Sequence, residues 1–137
     1  MDRAGVSAWV AAYERAWRSA GTGALARIFT EDATYRQGPY QPPVAGLAAI
    51  AAMWEAERDG LAEVFRMTSD VIAVDGDTAV ARVEVWYGDP VKQEYRDLWV
   101  MRFAGDGRCA WFEEWPFWPE EPYQAGRTAH GPGEGTG

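Results

Sequence analysis

Histidine is almost missing from this chain of 137 residues, and the single one, His130, falls in the C-terminal segment. Its absence elsewhere removes the usual parts of Ser-His-Asp triads, imidazole general bases and histidine metal centres. Cysteine is as scarce: Cys109 alone permits no internal disulfide and builds no thiolate metal site. Thirteen Lys and Arg stand against twenty-one Asp and Glu, a formal charge of −8. That balance argues against nucleic acid as a partner, because phosphate binding needs clustered cations, and against docking on an anionic membrane. No apolar run reaches membrane-spanning length, and no glycine-rich loop stands between a strand and a helix to cradle phosphate. The opening Met1-Asp2-Arg3-Ala4-Gly5 lacks the basic and then apolar regions of a secretory signal, so a cytoplasmic location is expected. Whatever chemistry the chain performs is therefore expected to rest on carboxylates, Tyr, Arg or Trp, with no metal and no cofactor.

Aromatics, by contrast, are abundant. Eight Trp, six Tyr and five Phe suit a core, a subunit contact or the wall of a pocket for an apolar ligand, and composition does not choose among these. Val6, Trp9, Val10, Tyr13 and Trp17 recur at helical spacing over residues 6–20, and Gly21-Thr22-Gly23 breaks the pattern. A short helix is expected over 24–29, an extended stretch over 33–37, then the loop Gly38-Pro39-Tyr40-Gln41-Pro42-Pro43 and a third helix over 47–58. Beyond Asp59-Gly60 the period changes to two, giving strands near 64–74, 78–87, 94–103 and 108–115. Asp75-Gly76-Asp77 and Gly105-Asp106-Gly107 read as hairpin turns, with a longer turn at Gly88-Asp89-Pro90. Helices first and an antiparallel sheet afterwards is an α+β order. Residues 1–123 are expected to form one domain and 124–137, rich in glycine, a disordered tail.

The segment Phe29-Thr30-Glu31-Asp32-Ala33-Thr34-Tyr35, followed by Pro42, Gly46 and Ile50, resembles the nuclear transport factor two-like superfamily. SnoaL-type polyketide cyclases, ketosteroid isomerase and limonene epoxide hydrolase belong to that group. The resemblance implies a cone-shaped, cystatin-like or SnoaL-like fold, with three N-terminal helices packed on a curved antiparallel sheet around a pocket. It also implies a homodimer. It does not select an activity, because this fold hosts enzymes, binding proteins and dimerisation modules.

The residues separate the members. Tyr13 matches the helix tyrosine of ketosteroid isomerase, but that enzyme's base position falls on Gln37 and its strand aspartate on Trp99. Gln37 cannot abstract a proton, so that mechanism is lost. Limonene epoxide hydrolase is more similar: Arg82-Val83-Glu84 stands where it has Arg-x-Asp, Glu114 where it has a late aspartate, and Tyr35-Arg36-Gln37 where it has Tyr-x-Asn. Opening an epoxide with water needs a base on the water and an acid on the departing oxygen. The resemblance implies Glu114 as base, Glu84 as acid, Arg82 as their bridge, and Tyr35 with Gln37 holding the water, with Asp97 and Tyr13 in reserve. The same set would serve a SnoaL-type cyclisation or isomerisation, and a binding module would need none of it.

Strand parity leaves the site open. On 78–87, Ala79, Ala81, Val83, Val85 and Tyr87 share one face and Val80, Arg82, Glu84 and Trp86 the other; either could look into the pocket. Glu113 and Glu114 point to opposite faces, and the spacing from Gly107 favours Glu114, beside Ala110 and Phe112. Asp97 alternates with Tyr95, Trp99, Met101 and Phe103, an apolar face on which a carboxylate is costly. Trp17, Tyr40, Trp54, Trp86, Trp99 and Phe112 are the expected pocket walls for a small apolar or aromatic molecule. Trp115-Pro116-Phe117-Trp118-Pro119 is expected to seal the mouth or meet a second subunit, and Glu55, Glu57 and Glu63 to be solvated surface.

Overall fold

A helix begins at Arg3 because Asp2 caps it, its carboxylate accepting the Gly5 N–H at 2.8 Å. This helix, α1 (Arg3–Arg18), buries Val6, Trp9, Val10, Tyr13 and Ala16, the stripe that the sequence spacing predicts. A single turn, α2 (Leu25–Ile28), runs directly into β1 (Phe29–Arg36), and the short β2 (Val44–Ala45) pairs back on it. The third helix, α3 (Leu47–Glu57), buries Ile50 and Trp54. Then come β3 (Phe65–Asp75), β4 (Thr78–Tyr87), β5 (Gln93–Phe103) and β6 (Cys109–Phe117). The computed structural model describes residues 1–58 and 63–119; the expected tail and His130 lie outside the described residues.

The sheet order is β2-β1-β6-β5-β4-β3. Four of its strands are those read from the period-two pattern, within about two residues at each end. Two features differ from the expectation. The extended stretch after the second helix starts earlier, at Phe29, and joins the sheet, so six strands replace four. It also runs parallel to β6, pairing Tyr35 with Phe112, so the sheet is mixed rather than wholly antiparallel. A parallel neighbour needs a long crossover, and here α3 and four strands intervene. Register shifts at Val71/Ala73 and Arg102/Phe103 bend the strands around the helices.

The inner face carries the core. Ala79, Ala81, Val83 and Val85 of β4 are buried under α1, with Trp99, Met101 and Phe103 of β5 and Phe112 of β6. Trp9 sits at the centre, edge-on to Phe29, Trp99 and Phe103, and donates its indole N–H to Ile28 O at 2.8 Å. Among the described residues no helix is long and apolar enough to cross a membrane.

One side chain ties the helices at the open end. Arg58, at the end of α3, donates to Ser19 O and Gly21 O at 2.7 Å and to Ala16 O and Trp17 O at 3.3 Å, and it pairs with Glu55. It thereby gives donors to the Trp17, Ser19 and Gly21 carbonyls at and beyond the end of α1 and adds a second donor to Ala16 O, which already accepts the Ser19 N–H. Replacing Arg58 by Met should cost about 2–3 kcal/mol in urea unfolding, and Arg58→Lys should recover less than half, because one ammonium cannot span four carbonyls. An unchanged midpoint in R58M would show that water satisfies those carbonyls equally well.

Candidate functional site

Between α1 and the inner face of the sheet lies a cavity of about 570 Å³. Tyr13 and Trp17 enter from α1, Tyr35 and Gln37 from β1 and its continuation, and Glu57 from the last turn of α3. Phe65 and Met67 of β3, Val85 and Tyr87 of β4, and Tyr95, Asp97 and Trp99 of β5 form the sheet wall. Glu114 and Pro116 of β6 complete it, with Glu63, Lys92 and Gln93 near the mouth. Gly88 opens the β4–β5 turn at φ 94°, and a Cβ there would lie 2.9 Å from Pro90 O, so only glycine lets this turn bring Lys92 and Gln93 to the cavity.

Two carboxyl groups dominate the interior. On the antiparallel β5–β6 ladder, Trp99 pairs with Glu114 and Asp97 with Pro116, so Asp97 and Glu114 are diagonal neighbours on one face. Among the described residues neither makes an ion pair. Burial pushes the Asp97 carboxyl up to about 7, against a smaller pull from the Trp99 indole. That indole does not reach hydrogen-bond geometry: Asp97 Oδ1 and Trp99 Nε1 both lack a partner among the described residues. Burial, then the negative charges of Asp97 and Glu57, push Glu114 up to about 8, partly offset by the Tyr35 hydroxyl. The Tyr13 and Tyr35 hydroxyls lie 2.6 Å apart, and Tyr35 donates to Glu114 Oε1 at 3.4 Å. Burial and the Glu114 charge raise both phenols well above their ordinary value, so they remain donors. Tyr13, Tyr35 and Glu114 thus form a hydrogen-bonded chain that ends on the carboxyl.

The expected site residues divide cleanly. Glu114, Asp97, Tyr35, Tyr13, Gln37, Trp17 and Trp99 line the cavity together. Arg82 and Glu84 do not. The Ala/Val face of β4 is the buried one, so the alternation turns both of them outward, where Arg82 is exposed 3.8 Å from Asp70 and Glu84 is half-buried. Gln37 reaches the cavity, but its amide nitrogen donates to both oxygens of Glu57 at 2.7 Å and is not free to clamp a water. Among the expected walls, Tyr40 is 96% exposed on the proline-rich loop. Trp86 lies on the outer face under the Arg66 guanidinium, 4.7 Å from its ring. Trp54 and Phe112 are fully buried behind the wall: Trp54 packs edge-on against Tyr13 and Trp17, and Phe112 stacks on Tyr13 and Tyr35. Of the closing aromatic run, Pro116 lines the cavity while Phe117 and Trp118 are exposed.

Sequence reasoning missed Tyr87, Tyr95 and Lys92, and took Glu57 and Glu63 for plain surface. The two tyrosines share parity with Val85 and Asp97, so the face assignment would have found them. Nothing in the sequence marks the glutamates, which reach the cavity because α3 and the segment before β3 end at its mouth. Glu63 also accepts the Trp17 indole N–H at 3.0 Å. Cys109 is buried and its thiol pushed up to about 12, which leaves it unsuited to nucleophilic work. Among the described residues no group of three or more His, Cys, Asp or Glu is arranged to hold a metal ion.

With this geometry in view, the chain matches the SnoaL-like domain family over residues 10–112. Among curated proteins, none matches. Several solved structures share the fold. A protein of Sinorhizobium meliloti provisionally named a polyketide cyclase is 26% identical, with a TM-score of 0.60 over 77% of this chain and 92% of that one. The epoxide hydrolase/cyclase-like enzyme SalBIII, described in pyran ring formation in the polyether salinomycin, is 16% identical, with a TM-score of 0.65 over 83% and 90%. A cystatin-like-fold protein of unknown function from Methylobium petroleophilum is 17% identical, with a TM-score of 0.66 over 90% and 82%.

The raised carboxyls make a stability prediction. Asp97 is ionised in the unfolded chain above about pH 4 but holds its proton in the folded protein up to about 7. Folding therefore takes up a proton in that window, and stability contributed by the neutral acid is lost as pH rises through it. Asp97→Asn should remove the Asp97 share of this slope, leaving that of Glu114, and make the variant more stable than the parent at pH 8 by an amount on the order of 2–4 kcal/mol. Urea melts of both proteins at pH 5, 6.5 and 8 would check this, and parallel stability profiles would refute it.

Proposed function

The chain belongs to the SnoaL-like domain family, and from that premise we propose that its cavity is an acid–base active site for a small, mostly apolar molecule. The observation that carries the reading is the pair Asp97 and Glu114, two carboxyls with raised proton affinity on one inward face and, among the described residues, no cation paired to either. Such a pair titrates as a unit and holds one proton over a range near neutrality, so one member can accept while the other donates.

Hydrogen bonding supports a division of labour. The Tyr35 hydroxyl donates to Glu114 and favours its carboxylate, whereas Asp97 Oδ1 receives no donor. Burial leaves the shared proton resting on Glu114, at about 8 against about 7 for Asp97; its transfer to Asp97 frees Glu114 as the base that the sequence suggests, with Asp97 in the acid role first expected of Glu84. The most concrete reaction is epoxide opening. Glu114 removes a proton from water, the oxygen attacks an epoxide carbon, the C–O bond breaks, and Asp97 protonates the departing oxygen to give a diol. The pair ends with its proton on the other member and resets by transfer between them.

A second reading follows from Gln37. Its amide nitrogen is held by Glu57, which removes half of the expected water clamp. A hydroxyl of the substrate itself could then take the place of water, giving a ring closure of the kind named for SalBIII. In ¹⁸O-labelled water, hydrolysis yields a labelled diol and cyclisation an unlabelled cyclic ether. A panel of terpene and styrene-type epoxides and hydroxy-epoxides, read by mass spectrometry, decides between them, and no product across the panel would leave a binding module as the better account.

Glu114→Gln and Asp97→Asn should each lower kcat by about 10²–10⁴ with little change in substrate affinity. Arg82→Ala and Glu84→Gln should stay within about threefold of the parent, since both side chains face outward. The parent's pH profile should be a narrow bell, rising through the lower and falling through the upper of two apparent values near 7 and 8. Equal loss of binding and turnover in E114Q would count against its role as base.

The expected homodimer belongs to the same proposal. The outer sheet face offers Leu98 and Trp115 exposed, beside half-buried Val80, Val100 and Trp111. Acidic and basic side chains are interspersed there, as in the Arg82–Asp70 and Arg96–Glu94 pairs. A two-fold axis would let that mixed surface face itself without net repulsion. Light scattering should give twice the 15.2 kDa chain mass, and Leu98→Glu should give a folded monomer; a monomeric parent would remove this assignment.

A further inference from the structure

We propose that the cavity is built for a ligand carrying a protonated or quaternary nitrogen. The inference rests on the cavity being the ligand site, but not on any reaction taking place there. Four carboxyl side chains, Glu57, Glu63, Asp97 and Glu114, reach the cavity against one cation, Lys92. Acidic residues at a surface need mean nothing, but Asp97 is different. It is only 6% exposed, it lines the cavity, and its Oδ1 has no hydrogen-bond partner among the described residues. A buried carboxylate without a partner is costly, and a cation brought beside it removes that cost.

The walls suit the same chemistry. Trp17, Tyr87, Tyr95 and Trp99 line the cavity with aromatic rings. The faces of such rings carry negative potential, and Trp and Tyr are the strongest cation–π partners among side chains. Two rings of this wall already attract guanidinium groups from the protein: Arg18 lies 3.8 Å from the Phe65 ring centre and Arg58 5.9 Å from that of Trp17. An anionic ligand would meet the opposite situation, with Lys92 as the one cation lining the cavity among the described residues and four carboxyl groups as repulsion. A neutral apolar ligand would gain from the rings but leave Asp97 unpaired.

Three probes of nearly equal size separate these cases: phenethylammonium, 2-phenylethanol and phenylacetate, titrated calorimetrically into the full-length protein at pH 8.5. The ammonium should bind at least about tenfold more tightly than the alcohol, and phenylacetate most weakly. In Asp97→Asn the advantage of the ammonium should fall below about threefold while the affinity for the alcohol stays unchanged. A parent that binds the alcohol as tightly as the ammonium, that prefers phenylacetate, or that binds none of the three at 10 mM (about the limit for a millimolar site) overturns the inference. Because no turnover is read, epoxide opening without cation preference would sink this inference alone. Cation preference without any product from the epoxide panel would instead sink the catalytic reading.

Discussion

Two carboxyl groups, Asp97 and Glu114, share the inner face of neighbouring strands, and among the described residues no cation is paired to either. Asp97 is buried and Glu114 half-buried at the cavity wall, and the charge of Asp97 raises the proton affinity of Glu114. A sheet could hold such a pair in two ways: by supplying an arginine between them, or by leaving them to share protons. This chain does the second. The arginine that could have bridged them, Arg82, is turned to the opposite face by the alternation of β4. The pair is thereby left without a bridging cation among the described residues.

The surroundings limit where those protons can go. Tyr13 and Tyr35 stack on Phe112, and Trp54 packs behind Tyr13, so the phenols are fixed by rings on several sides. Their hydroxyls meet each other and then Glu114, on the side of the cavity facing the helices. Asp97 Oδ1, by contrast, accepts no hydrogen bond among the described residues. The two acids thus sit in unlike environments although they lie on adjacent strands, and unlike environments are what separate an acid from a base. Arg58 matters to this indirectly, since it holds the end of α1, and with it Trp17, against α3.

Belonging to the SnoaL-like domain family narrows the architecture more than the activity. Neighbouring structures of 16–26% identity share the cavity-forming fold, with names that span a cyclase, an epoxide hydrolase/cyclase-like enzyme and a protein of unknown function. A common scaffold can turn different sets of side chains inward. Here that set is rich in acids and aromatics and poor in cations.

The sequence by itself determined the order of elements, the positions of the hairpins and the kind of chemistry available. Helical spacing and period-two alternation are local signals, and a chain with one histidine in its tail has few acid–base groups to offer besides carboxyls and phenols. It also singled out Asp97, because an acid alternating with Tyr95, Trp99 and Met101 stands out on an apolar face. What only the tertiary structure decided was which face of each strand looks inward. Period two sorts Ala79 and Val83 from Arg82 and Glu84, but it labels neither set, and both faces of β4 carry apolar residues. The choice came from α1 packing over the Ala/Val side, a long-range contact with no local signature. The same packing replaced Glu84 with Asp97 as partner of Glu114, brought Glu57 to the cavity mouth, and set β1 beside β6 across the length of the chain.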